Sequence, residues 1–308
     1  MLFNDFTSRM QQDLVSELNK KLNNNITSEL TNLEKLQGQS YTGLSIRFKD
    51  SNAGAVYNLS EAFRKLQDGE SYSQLLDEAV VQMENALHDM PDIPFDVLCN
   101  YAVMKDFLTV QLVSESHNKT ALEGIAYKEV ADDLALVYRI VLPPFENCER
   151  SLLVRKDFLN SLNVSLDQVH QDALKKSSEL LPMKMASLNS YIASHCDAPE
   201  EILPPEETLW IVTNNKLCLG ASALFYPGAL NEISDRLGGD FYIIPSSIHE
   251  CLVCSSKISH SWEFLERMLN EVNTSIVDNE EILSDQLYYY DSISGVVEPA
   301  AKHCVPLF

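Results

Sequence analysis

A chain of 308 residues with 45% hydrophobic side chains can bury one large core or two of ordinary size. Its net charge of −22 excludes the basic stripe through which proteins neutralise phosphates, so nucleic-acid binding is not expected. The ten glycines form neither a dinucleotide fingerprint nor a phosphate-cradling loop, which sets aside Rossmann-type and P-loop nucleotide enzymes.

The charge is uneven. Between Asp197 and Glu298 stand eighteen Asp/Glu against four Lys/Arg. Such a stretch reads first as a solubilising face and second as a surface for a basic partner, or one that imitates nucleic acid. Seven cysteines, at 99, 148, 196, 218, 251, 254 and 304, are an odd set without disulfide-framework spacing. With the polar start MLFNDFTSRMQQDL they argue against secretion. The best apolar run, Leu134 to Phe145, contains Arg139 and two prolines and is too short to span a bilayer. The expectation is a soluble cytoplasmic protein with no membrane association.

In chain order, Phe3, Phe6, Met10, Leu14, Leu18 and Leu22 recur at helical steps and predict a helix over 3–22, ended by the Asn run at 23–25. A second helix is expected from Ser28 to Leu36, ending at Gly38. Leu44, Ile46 and Phe48 alternate with polar residues, which predicts a half-buried strand over Tyr41–Lys49 paired with Ala55–Asn58. Ser60 can cap a helix that stops at Gly69, and Ser71 or Ser73 can cap a longer one. Met90–Pro94 closes this unit, giving domains 1–94 and 95–308.

Beyond it, Phe95 to Val113 reads as apolar helix or strand and Ser114 to Gly124 as polar. Leu134 to Leu142 is a central strand in which Arg139 needs a partner. Leu152–Arg155 is a short strand. Ser165 and Gln168 fit a capping box opening a helix that runs to Pro182. Asp197 to Glu207, with three prolines, is a loop or sub-boundary. Strands follow at Leu209–Thr213, Phe241–Ile244 and Cys251–Cys254. Helices lie between Pro227 and Gly238 and around Trp262–Val272, and a terminal hairpin joins Leu287–Tyr290 to Ile293–Val297. Strand, short helix and paired strands occur at 107–142 and again at 209–254, a duplicated unit in pattern. The fold class is α+β: a helical N-terminal unit with a β-hairpin, then a mixed or antiparallel sheet domain with helices.

Three stretches, Thr42–Arg47 (TGLSIR), Tyr226–Glu250 (YPGALNEISDRLGGDFYIIPSSIHE) and Leu283–Asp291 (LSDQLYYYD), resemble an uncharacterised bacterial family of unknown function. The resemblance extends to Val56–Leu59 and Gly69–Ser71. It implies a bacterial origin, in gut anaerobes and often on mobile elements, and implies no catalytic residue.

The corner Ser246, Ser247, His249, Glu250 offers a nucleophile, a base and an acid. In extended chain Ser247 and His249 share a face and Glu250 does not, so a remote acid such as Asp285 or Asp291 would be required. No Gly-x-Ser-x-Gly elbow is present. The bland account is a proline-led turn whose serines bond the backbone and whose histidine pins a loop. His249–Glu250 does not continue into a zinc-protease motif, because Val253 stands where a histidine should. Cys251 and Cys254 sit in an apolar run, and the His195–Cys196 and His303–Cys304 pairs are isolated, so no metal site and no cofactor are expected. Tyr226, Tyr288, Tyr290 and Asp291 are candidate binding residues, since tyrosine is enriched at interfaces. The expected role is non-catalytic: binding or regulation of a protein partner, basic in character, through the acidic surface. The alternatives are a hydrolase using Ser246 or Ser247 with His249, and an acidic nucleic-acid mimic or anti-defence protein of a mobile element.

Overall fold

The computed structural model describes residues 1–22, 26–38, 40–51, 53–89, 95–142, 151–195, 209–257 and 262–303. The chain divides into two compact units, Met1–Ile93 and Pro94–Phe308. The class is α+β. The expected linkers at 23–25, 90–94 and 197–207, the residues Cys148, Cys196 and Cys304, and the His195 side chain lie outside what is described.

The first unit is built from α1 (Phe3–Leu22), strands β1 (Ile26–Leu33), β2 (Tyr41–Phe48) and β3 (Ala55–Asn58), and helices α2 (Leu59–Gln67) and α3 (Tyr72–His88). The α1 stripe of Phe6, Met10, Leu14 and Leu18 is wholly buried against Leu44 and Ile46 of β2 and Leu75, Ala79 and Met83 of α3. Two expectations need correction. The helix read over Ser28–Leu36 is a strand: β1 pairs antiparallel with β2 from Ile26↔Phe48 to Leu33↔Tyr41, so the sheet has three strands. Leu30 and Leu33 carry a helical spacing, but eight paired residues, with β-branched Ile26, Thr27 and Thr31 among them, outweigh it. The cap of α2 is Asn58, which accepts the Glu61 amide at 3.0 Å, while Ser60 instead accepts the Thr42 amide at 2.9 Å. At α3 the capping box of Ser71 with Gln74 is complete.

The second unit opens with α4 (Phe95–Cys99) and α5 (Tyr101–Met104). Strands β4 (Leu108–Ser114), β5 (Tyr127–Ala131), β6 (Leu134–Val141) and β7 (Ser151–Leu153) form one antiparallel sheet. In it β6 is central, with β4 on one side and β5 then β7 along the other. Arg139 of β6 finds partners in Gln111 at 2.7 Å and Ser151 at 2.8 Å. Helices α6 (Lys156–Leu162) and α7 (Leu166–Leu180) follow, and Ser165 caps α7 by accepting the Gln168 amide. Next come β8 (Met183–Ser187), which was not expected, α8 (Leu188–His195), β9 (Trp210–Asn214), α9 (Ala229–Leu237), β10 (Phe241–Ile244), β11 (Cys251–Ser255), α10 (Trp262–Ser275), β12 (Tyr288–Asp291) and β13 (Val296–Pro299). The six strands pair antiparallel in the order β13-β12-β10-β11-β9-β8. The last hairpin is shifted from the expected register. Val296, not Ile293, starts the second strand, because the Asp291 carboxylate folds the chain over the Ile293 and Ser294 amides and leaves Ile293 96% exposed.

The repeated pattern has a topological meaning. In both halves the first strand pairs with the third and the third with the second: β4-β6-β5 and β9-β11-β10. Each also carries a short 3-10 helix after its first strand, at Ala121–Glu123 and Gly220–Phe225.

Candidate functional site

The site forms where the loop after β9 meets the corner between β10 and β11. Asn214, the last residue of β9, folds the loop over its own side chain. Its Oδ1 accepts the amides of Lys216 at 2.9 Å and Cys218 at 3.4 Å, and its Nδ2 donates to the Cys218 carbonyl at 2.8 Å. Leu217 and Leu219 are thereby held at φ 55° and 52°, a left-handed backbone that costs a non-glycine residue about 1–3 kcal/mol. Gly220 follows because nothing larger fits. A Cβ there would collide with Thr213 Oγ1 and lie 2.6 Å from the His249 carbonyl oxygen.

Pro245 leads the corner, as its sequence suggests. The Ser247 hydroxyl accepts the His249 amide at 3.0 Å, Thr213 Oγ1 donates to the His249 carbonyl at 2.8 Å, and the Ile248 amide donates to the Glu281 carbonyl. The half-buried His249 ring turns to the loop: its Nδ1 accepts the Leu219 amide at 3.1 Å, and its Nε2 lies 3.3 Å from the Glu281 carboxylate. The Cys218 side chain, hydrogen-bonded to the ring, and then Glu281 draw the imidazole pKa upward against burial. Burial pushes the Glu250 carboxyl up, although His249 opposes it.

The structure therefore brings His249 together with Cys218 and Glu281, and its ring hydrogen-bonds neither Ser246 nor Ser247. Asp285 faces His117 instead, at 3.5 Å, and Asp291 folds the last hairpin. The sequence reading missed Cys218 and Glu281. Both are distant from the corner in the chain, and only the left-handed bend at 217–219 brings the thiol to the ring.

The aromatic candidates are corrected as a surface. Tyr226, Tyr288 and Tyr290 are buried. The hydroxyl of Tyr288 donates to the Asp132 carbonyl at 2.7 Å, and that of Tyr290 to Asn231 at 2.8 Å. The rings of Tyr288 and Tyr290 tie elements together. Tyr226 opens a turn with Pro227 and Gly228, whose φ of 81° needs glycine, and α9 starts from it. Cys251 and Cys254 are buried too, and desolvation pushes the Cys254 thiol up to about 12 and raises Cys251 as well, which makes both inert. Among the described residues, no cluster of three His, Cys, Asp or Glu can hold a metal ion, and no helix is long and apolar enough to cross a membrane.

A family model described as a family of unknown function, DUF5688, matches residues 3–292. No curated protein and no solved structure matches the chain.

Proposed function

The chain belongs to the DUF5688 family of unknown function, and from that premise, which supplies no activity, we propose that it is a non-catalytic binding protein for a basic polypeptide. One observation carries this reading. From Trp262 to Asp285, α10 and the segment after it present Glu263, Glu266, Glu271, Asp278, Glu280, Glu281 and Asp285 against the single cation Arg267. Interleaved with them, Phe264 is 39% exposed and Ile276 77% exposed. An acidic surface steers a cationic partner into encounter and suppresses acidic ones. Exposed apolar side chains within it add the desolvated contacts that hold a partner once it has arrived.

The test uses the immobilised full chain and a variant carrying Glu263→Lys, Glu271→Lys, Asp278→Lys and Glu280→Lys. At low salt the native chain should retain a basic polypeptide from its own cell extract, identified by mass spectrometry and then shown to bind when purified. The variant should lose it, and raised salt should release it. Equal retention by both chains, or no purified partner that binds, overturns the reading. Displacement of the partner by duplex DNA would mark the ridge as an imitation of nucleic acid.

A further inference from the structure

We propose that the cavity over β8 and β9 is a binding site for a small carboxylic acid with an aliphatic skeleton. The proposal is independent of the acidic ridge and concerns binding alone. Its first support is the cavity and what lines it. The floor is one face of the β8–β9 pair, where Lys184 stands opposite Thr213 and Ala186 opposite Ile211. Helix α8, which follows β8 directly, contributes Tyr191, and the loop after β9 contributes Leu217. The volume of about 470 Å³ lies within the roughly 300–1,000 Å³ of small-molecule sites.

Its second support is an apolar wall that the fold leaves open. Ile211 is buried, but Ala186 and Tyr191 are half-buried and Leu217 is 38% exposed. Leu217 is also a residue that Asn214 bends into the left-handed region, which a bulky side chain adopts only where its surroundings impose it. Glycine or asparagine would make that bend with less strain. Leucine makes it at a cost and adds an apolar surface to the cavity.

Its third support is charge. The chain carries 45 Asp and Glu, yet among the described residues no carboxylate lines this cavity, and Lys184 is its one charged lining residue. Between Asp197 and Glu298 there are only four cations, and two of them stand next to it. Lys216 adjoins Leu217 in the chain, and Arg236 Nη1 donates to the carbonyl of Met185, another wall residue, at 3.3 Å. The most acidic third of the chain thus gathers half of its positive charge around one cavity, a potential that favours an anion there. A single ammonium at the wall matches the one charge of a carboxylate. The aliphatic remainder of the wall matches a chain of methylenes, each of which gains from leaving water.

The test is isothermal titration calorimetry of the full chain with octanoate, octanamide and octylamine, which share a carbon chain and differ in charge. Octanoate should bind once per chain. Octanamide should bind about threefold more weakly and octylamine at least about tenfold more weakly, since an exposed lysine attracts the first and repels the last only modestly. Raised salt should close the gap between octanoate and octanamide. Lys184→Glu should reverse the order of octanoate and octylamine, an outcome that a merely structural role for Lys184 would not produce. Ala186→Leu, which narrows the cavity, should weaken all three at least about fivefold. The absence of saturable octanoate binding at millimolar concentration, equal affinity for the three probes, or an unchanged order in Lys184→Glu overturns the proposal. Lys184 is exposed, so its substitution keeps the test decisive even where Ala186→Leu fails to fold.

Discussion

The two halves of the Pro94–Phe308 unit share a strand order and a latch but not a chemistry. In the first, Asp133 at φ 60° gathers the loop after β4 through one amide and two hydroxyls. In the second, His249 gathers the loop after β9 through the Leu219 amide. The backbones are joined in parallel ways as well: the Glu115 amide donates to the Asp133 carbonyl, and the Ala221 amide to the Ile248 carbonyl. The same topology thus prescribes that a loop be tied to a corner, and leaves open which side chains tie it.

Four measurements break or sharpen that comparison, and the two tryptophans, Trp210 and Trp262, report on this unit alone. The largest effect is expected at Gly220, where Ala must displace backbone and the Thr213 hydroxyl. Gly220→Ala should cost about 2–3 kcal/mol in denaturant unfolding followed by tryptophan fluorescence. For comparison, Gly124→Ala, just after the 3-10 helix of the first half, meets only the far end of the Arg155 side chain and should cost less than about 1 kcal/mol. Equal losses would show that the close approach at Gly220 adds nothing to stability.

Next come the latch residues. Asp133→Ala removes a charged acceptor of three bonds and should cost about 2 kcal/mol, whereas His249→Gln, which keeps a polar side chain at the corner, should cost about 1 kcal/mol. The same unfolding experiment ranks them, and a reversed order would make His249 the stronger tie.

The third effect separates the halves by pH. His170 of α7, bonded to the Tyr138 hydroxyl at 3.0 Å in the first half, has its pKa lowered by burial first and then by Lys128. Its contribution is complete above the ordinary histidine value and is lost as pH falls through the folded value. His249 is raised, so its contribution is complete below the ordinary value and is lost as pH rises through the folded value. Unfolding free energy followed from about pH 5 to 8 should therefore respond to His170→Gln on the acid side of about 6.5 and to His249→Gln on the alkaline side. Both variants acting on one side would contradict the assigned signs.

The smallest effect lies at the last hairpin. Asp240 accepts the Ser292 hydroxyl at 2.6 Å, the Ser292 amide at 2.9 Å and the Tyr289 hydroxyl at 2.9 Å, which lower its pKa. Its contribution is present above the ordinary carboxylate value and is lost as pH falls through the folded one. Asp240→Asn should flatten the acid limb of stability slightly, and an unchanged limb would assign it to other carboxylates.

Much of the framework is readable from periodicity. The α1 stripe, the alternation in β2, the continuous apolar run of β6 and the glycines closing α9 each state their element, because a helix or strand with one buried face must repeat its apolar residues at the matching step. The reading failed where local spacing and long-range pairing disagree. Leu30 and Leu33 look helical until β2 takes all eight residues of β1, and Ile293 looks like strand until Asp291 folds the turn beneath it. At the site, the sequence pointed to His249 but to the wrong neighbours, since serines two and three residues away are closer in the chain than Cys218 or Glu281.

By itself, then, the sequence determined the α+β class, the acidic balance, the absence of a nucleotide-binding glycine loop and the polar corner at 245–250. Each of these is written in residues that are contiguous or regularly spaced. Only the tertiary structure decided which strand pairs with which, that the Tyr288 and Tyr290 rings are buried ties, and that His249 lies between the Leu219 amide and the Glu281 carboxylate. The last of these depends on chain segments thirty or more residues apart meeting beside two left-handed leucines and one glycine with no room for a Cβ. Local propensity cannot encode such a meeting, because its free energy comes from the pairing and packing of segments that are independent until the chain folds.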